Sequence, residues 1–272
     1  MKCVDYFLSQ EVFELVFQED IKAYRTTPVP RDLARYYRSQ EYLSHSNTRQ
    51  NLAARFYALA KSYRNRSKWR AVLSHFDKDY KASKISVLDF GSGDNSFVSS
   101  APSNALAKGY DPFTGQNTPS HVGSLETLVS QDARFDAITF WHSLEHTPDP
   151  LEALRKSMDI LKPGGCLHIA VPNYNSWDAK HYKGFWAGYD VPRHLWHFSS
   201  KSFGPVSDQL GLLLIDQQPH WFDAFYVSYL SEKYKGNKTP LLRGALRTVG
   251  AVLSKKAFLN PSATYAVLKK PF

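Results

Sequence analysis

From residue 85 onward, short runs of aliphatic and β-branched residues alternate with stretches of helical spacing, the pattern of a parallel sheet with crossover helices. The runs fall at 85–90, 105–110, 136–141, 166–171, 212–217 and 264–269. The clearest helix lies between the third and fourth. Asp149 suits its N-cap, Pro150 its first position and Glu152 a capping box, and Leu151, Leu154, Met158 and Leu161 form an apolar stripe. Pro163-Gly164-Gly165 then stops it before the strand Cys166–Val171.

Ahead of this region the pattern changes twice. Val12–Phe17 and Ile21–Tyr24 alternate apolar and polar positions around Gln18-Glu19-Asp20, which predicts a β-hairpin closed off by Pro28 and Pro30. Between 47 and 76, Leu52, Phe56, Leu59, Tyr63, Trp69, Val72 and Phe76 recur at helical spacing and predict one or two amphipathic helices. The expected organisation is an N-terminal hairpin and linker over 1–46, then a domain over 47–272 that carries a helical platform (47–80) and a lid (173–200). The fold class is α/β: a Rossmann-like, mostly parallel sheet with an antiparallel last strand.

Composition narrows the class. The 272 residues are 43% hydrophobic and 22% charged, enough for a packed core without metal or disulfides. Two cysteines, Cys3 and Cys166, are too few for a disulfide framework and fit a reducing, cytoplasmic setting. No apolar run approaches the ~20 residues of a membrane span, so a soluble protein is expected. The net charge of +9 suits an anionic partner such as nucleic acid, a phospholipid surface or a nucleotide-linked metabolite. Basic residues gather in 61–70 and 243–256, where a solvated helix face is the simpler reading.

The chemistry concentrates at the end of the first predicted parallel strand. Val87-Leu88-Asp89-Phe90-Gly91-Ser92-Gly93 is an apolar strand running into an Asp-x-Gly-x-Gly turn, whose glycines let the backbone approach a nucleotide-like ligand. Asp111 ends the next strand, where a carboxylate can accept from both ribose hydroxyls. A strand, such a turn and an acid one strand later form a moderately specific combination.

With these residues the sequence resembles the class I S-adenosylmethionine methyltransferases. Phe135-Asp136-Ala137-Ile138-Thr139 is similar to the fourth strand of that family, His142 to Pro150 to the loop after it, and Leu161-Lys162-Pro163-Gly164-Gly165 to its hallmark turn. The finer resemblance is to the ubiquinone-biosynthesis O-methyltransferase-like branch, through Tyr37 to His45 and Asp190 to Phe198. The resemblance implies S-adenosylmethionine as cofactor, held by Asp89, Gly91, Ser92, Gly93, Asp111, Pro112, Ser124, Leu125 and Trp141, with Tyr42 and His45 closing over its methionine end. Two positions depart from the family: Asn95 stands where many members have a third glycine, and Ser124-Leu125 where an acid often meets adenine.

Methyl transfer to oxygen requires removal of the acceptor proton, and histidine is the side chain most easily tuned for this. His142, His146 and His194 are the candidates, with bracing of the local loop as the competing role. Between Tyr174 and Phe198 eight aromatic residues suggest a pocket wall. Tyr174, Asn175, Trp186, Asp190 and Arg193 are the substrate-binding candidates there, Arg193 as a clamp for carboxylate or phosphate. A folded lid packing its own aromatics explains the same pattern.

Other chemistries fare worse. A dinucleotide dehydrogenase wants glycine or alanine where Ser96 stands. His142-Ser-Leu-Glu145-His146 matches an inverted zinc-peptidase string, but that motif needs a continuous helix, which Pro148 opposes. No metal is expected. Nucleic-acid methylation lacks an Asp/Asn-Pro-Pro-aromatic string after the fourth strand and remains the alternative enzyme class, and a non-catalytic cofactor-binding scaffold the alternative outside enzymes. The expected function is methylation of a small-molecule acceptor, at oxygen. The 240–256 stretch reads as a basic amphipathic helix, expected to cover the sheet with its Leu and Val buried; peripheral contact with an anionic membrane is its other use.

Overall fold

The computed structural model describes residues 1–37, 52–76, 84–112, 120–122, 124–221 and 223–272, the side chains of 52–58, 255 and 256 excepted. Tyr42 and His45 therefore lie outside the described residues.

The main sheet has seven strands: β4 (Ile85–Phe90), β5 (Ala105–Tyr110), β6 (His121–Val122), β7 (Phe135–Trp141), β8 (Leu161–Pro172), β10 (Leu213–His220) and β11 (Ala263–Lys269), in the order β10-β11-β8-β7-β4-β5-β6. Pairing is parallel from β6 across to β8, while β11 runs antiparallel to both β8 and β10. This is the Rossmann-like arrangement with one reversed strand. The central strands read as apolar runs because both faces are covered. Leu88, Ile138, Phe140, Leu167 and Ile169 face one core layer, and Val87, Ala137, Cys166 and Ala170 the other.

The first layer is closed by α3 (Leu125–Ser130), α4 (Pro150–Asp159) and α6 (Phe203–Leu210), which contribute Leu128, Leu154, Phe203 and Val206. Asp149 caps α4 by accepting from the Glu152 amide at 3.0 Å, with Pro150 in the first turn. The opposite layer is closed by α1 (Leu52–Leu73), through Trp69 and Val72, and by Phe97 of the short helix at 96–99, whereas Leu59 and Tyr63 of the apolar pattern are exposed. The Pro163-Gly164-Gly165 turn does not separate α4 from β8. It is a bulge inside the strand, since Phe135 pairs with Leu161 and Ala137 with Cys166.

The N-terminal hairpin of β2 (Val12–Gln18) and β3 (Ala23–Thr27) extends into a four-stranded sheet, β1-β2-β3-β9, with β1 (Lys2–Val4) and β9 (Trp196–His197). Thus the predicted lid is joined to the start of the chain by main-chain pairing. The two share a third core of Cys3, Phe13, Leu15, Tyr36, Tyr182 and Trp186. Short helices α2 (Ser96–Ser99) and α5 (Trp177–Tyr182) complete the two halves.

The C-terminal part differs most from expectation. Residues 240–256 do not cover the sheet. Helices α7 (Ala224–Tyr234), α8 (Pro240–Leu253) and α9 (Lys255–Phe258) follow β10, and α8 buries Gly244 and Ala251 while leaving its Leu and Val residues exposed. A Cβ at Gly244 would lie 2.9 Å from the Tyr229 backbone, so the helix is seated by close approach and not by its large side chains.

Arg193 ties the halves together. It is 1% exposed, and its Nη2 donates to Asp5 at 2.8 Å and to Asp190 at 2.7 Å, while Nε donates to Asp190 at 2.9 Å. Asp5 is equally buried and also accepts from the amides of Phe7, Leu8 and Ser9. Burial opposes ionisation of Asp190, but the Arg193 guanidinium outweighs it and holds the carboxyl below the usual range. Removing the arginine strands the buried Asp5 carboxylate and leaves the partly exposed Asp190 without its partner. Arg193→Met should therefore lower unfolding stability by about 3–5 kcal/mol, read from denaturant midpoints.

Candidate active site

A cleft of 540 Å³ opens at the carboxyl ends of β4, β5 and β7, where ligands bind in sheets of this kind. Its floor is the turn after β4. Gly91 has φ +77°, and a Cβ there would sit 2.4 Å from the Ser143 Cβ, so that only glycine fits. Gly91 and Ser92 both donate to the Tyr110 carbonyl, at 2.7 and 3.0 Å, and Gly93 donates to Asp111 Oδ2 at 3.0 Å. The turn is thus hung on the end of β5, and the Asp111 carboxylate is presented at the cleft beside Gly91, Gly93, Pro112 and Leu125.

Asp89 stands behind the turn, not in it. It is buried, accepts from Thr139 Oγ1 at 2.7 Å, and burial pushes its carboxyl up to about 6 against the pull of that hydroxyl and of Lys68. Ser92 is also buried, 3.4 Å from His121 Nδ1. Ser124 caps α3, accepting from the Thr127 amide and donating to Glu126 at 2.6 Å. Trp141 faces the opposite layer, stacked on Tyr265 at 5.7 Å with Lys68 Nζ 5.0 Å from its ring.

The histidines enter from the loop after β7. His142 has φ +56°, a strained conformation for a side chain of its size, at the point where the strand meets the cleft. Its Nδ1 lies 3.4 Å from Glu145 Oε1 and its Nε2 3.0 Å from Asp223 Oδ2. Burial disfavours the charged ring, but Asp223 and Glu145 outweigh it and raise the pKa to about 9. In return the Asp223 carboxyl is held far below its ordinary range despite its own burial, and Glu145, wholly buried, is lowered as well. Leu144–His146 forms a 3-10 turn, which rules out the helical zinc-peptidase geometry.

His146 lines the cleft with Nδ1 3.0 Å from the Arg193 carbonyl and 3.0 Å from the Tyr37 hydroxyl. His194 stands against it, ring centroids 4.7 Å apart, with its own Nδ1 3.0 Å from the Gly188 carbonyl. Burial above all lowers the His194 pKa to about 4, so it stays neutral. Among the described residues, two groups of three donors lie within 4.8 Å of one another: His142, His220 and Asp223, and Glu145, His146 and His194. Both have the donor types of a divalent-ion site.

The aromatic segment packs its own side chains together and against the N-terminal sheet. Trp186 is buried and donates to Asp178 at 2.8 Å. Tyr174 packs on Tyr24 at 4.9 Å and donates to the Lys22 carbonyl, and Asn175 offers its carbonyl to Asn260. Asp190 and Arg193 are engaged with each other and with Asp5. None of these five candidates lines the cleft, and Arg193 reaches its edge through the carbonyl that meets His146. Residues that do line it, and that the sequence reading left out, include Tyr110, Glu126, Ser143 and Lys156. The Asp223 partner of His142 was also missed, because the segment between β10 and α7 carries no local signature.

The cleft has the size, the glycine turn and the carboxylate of a nucleoside-cofactor site, and a family profile decides between chemistries. The "Methyltransferase domain" family matches residues 55–217. The chain belongs to this methyltransferase family. The Gly91–Gly93 turn with Asp111 has the geometry to hold a nucleoside cofactor such as S-adenosylmethionine. Among curated proteins it is similar to the ubiquinone biosynthesis O-methyltransferases of Xanthomonas campestris pv. campestris (45% identical over 53 residues, 19% of this chain and 22% of that one) and Xanthomonas axonopodis pv. citri (39% over 61 residues, 22% and 26%). The match spans about a quarter or less of those relatives' length. Among solved structures it is similar to a SAM dependent methyltransferase from Archaeoglobus fulgidus (18% identity, 77% and 94% covered, TM-score 0.48). A second is the plantazolicin methyltransferase BpumL in complex with a monoazolic desmethylPZN analog and SAH (15%, 89% and 95%, TM-score 0.49).

Two measurements probe the methyltransferase site. Asp111→Ala should weaken S-adenosylhomocysteine binding roughly ten- to a hundredfold by calorimetry, the worth of a charge-assisted hydrogen bond. The His142 ion pair should leave a mark on stability, because its folded pKa lies above the ordinary 6.5. Its contribution is complete below pH 6.5 and is lost as pH rises through about 9. Denaturation midpoints should fall over that window, and Asp223→Asn should remove most of the slope.

Proposed function

We propose that the protein transfers a methyl group from S-adenosylmethionine to an oxygen of a small organic acceptor, a phenolic hydroxyl being the best fit. The observation that carries this is the fixed tautomer of His146. A carbonyl only accepts, so the 3.0 Å contact to the Arg193 oxygen places the ring proton on Nδ1 and leaves the lone pair on Nε2. A histidine on the cleft wall with its lone pair defined in this way is equipped to take a proton. The partial likeness to O-methyltransferases supports the same acceptor atom.

When bound, S-adenosylmethionine supplies an electrophilic methyl group on a sulfonium. Asp111 and the Gly91–Gly93 turn hold its nucleoside part, and Leu125 and Pro112 flank it. His146 Nε2 accepts the proton of the acceptor hydroxyl. His142, cationic at neutral pH, is held by Asp223 and Glu145 and fixes the loop that carries His146. Tyr37 donates to the Arg193 carbonyl at 3.3 Å and braces the same face of the His146 ring. The rest of the rate comes from alignment in a partly dry cleft.

The test is a panel of phenols, with methylated product and S-adenosylhomocysteine followed by mass spectrometry. His146→Gln should lower kcat by roughly 10²–10⁴ while the dissociation constant for S-adenosylhomocysteine stays unchanged. Methylation of RNA with none of any small acceptor would overturn the proposal.

A further inference from the structure

The second amphipathic element of the chain, α8, presents its apolar side to solvent. At 100° per residue, Leu241, Leu242, Leu246, Val249, Val252 and Leu253 fall within an arc of about 140°. All six are between 47% and 81% exposed. The residues of α8 that are buried, Gly244 and Ala251, lie on the other side against α7, and Gly244 brings the two helix backbones to close approach. Scattered exposed leucines are ordinary; six along one face of one helix form a contiguous patch of the kind that marks an interaction surface.

The charge around this face is of one sign. From Lys233 to Phe272 the sequence contains no Asp or Glu, and between 233 and 256 it has seven basic residues. Arg243 stands beside the apolar arc and is exposed, as are Arg247, whose guanidinium turns to the Trp177 ring 6.0 Å away, and Lys233, Lys235 and Lys238 at the end of α7 and in the connection to α8. A second copy of the chain is a poor occupant, because a two-fold interface sets each basic strip near its own copy. An anionic bilayer answers both features, with acyl chains for the leucines and headgroup phosphates for the arginines.

We propose that α8 is a peripheral membrane anchor that lies in the plane of an anionic phospholipid surface, its Leu and Val residues in the acyl boundary and its basic residues at the headgroups. The anchor stands apart from the methyl acceptor and holds whichever acceptor is correct. Its position has a functional side. Helix α7, on which α8 sits, begins one residue after Asp223, and Phe225 in its first turn is exposed. The bound surface therefore adjoins the segment that pairs with His142, and an acceptor dissolved in the bilayer has a short path to the cleft.

The experiment is flotation of the full chain with vesicles of phosphatidylcholine alone and of phosphatidylcholine doped with phosphatidylglycerol. Wild type should float with the anionic vesicles, less with the neutral ones, and less again as salt is raised. A Leu246→Glu/Val249→Glu double variant should lose vesicle binding at least tenfold with circular dichroism unchanged, since both sites are exposed. Arg243→Ala/Arg247→Ala should weaken binding to anionic vesicles by about fivefold per arginine and leave neutral vesicles unaffected. Failure of wild type to float with anionic vesicles, or equal flotation of the glutamate variant, overturns the proposal. So does a wild-type dimer in sedimentation that the glutamate variant converts to monomer, which would assign the face to a second copy.

Discussion

A single buried cation organises this protein. Arg193 cannot lose its charge, and in its near-complete seclusion it must be met by carboxylates. It draws one from each end of the chain's fold, Asp5 from the N-terminal sheet and Asp190 from its own turn. Its side chain thereby docks the N-terminal sheet onto the aromatic segment, and its carbonyl fixes His146. Packing, sheet extension and the orientation of a candidate base all pass through the same residue. The cation is too engaged to touch an acceptor, yet the acceptor side of the cleft depends on it.

The site itself is an exercise in opposed charge. His142 sits between two carboxylates, one from its own 3-10 turn and one from the segment after β10. Glu145 is shielded from water and Asp223 is partly exposed, and each is kept ionised by the histidine. Nearby His194 and His220 are driven to the neutral form, their pKa values lowered to about 4. Histidines of one cluster therefore hold different charge states at one pH.

The strands of the main sheet were legible because parallel strands covered on both sides must be apolar along their length, as Ile85–Phe90 and Phe135–Trp141 are. The glycine turn and Asp111 were legible for a similar reason, being dictated by neighbours in sequence. What could not be read depends on partners far away. Arg193 looked like a surface clamp because its carboxylate, Asp5, lies 188 residues distant. Strand β9 has two residues and exists only through β3. The orientation of α8 was misjudged because leucine content suggests burial, whereas two small residues, Gly244 and Ala251, decide which side goes in.

The pairing of β3 with β9 also bears on how the two sides of the cleft are held. The donor turn is made by β4 and β5, which are adjacent in sequence and share one register. The wall behind His146 is made by residues near the start of the chain and residues near 195, joined by only two register positions. The turn at Gly91–Gly93 and the wall behind His146 thus rest on separate stretches of chain, so that the pairing which holds one is not the pairing which holds the other.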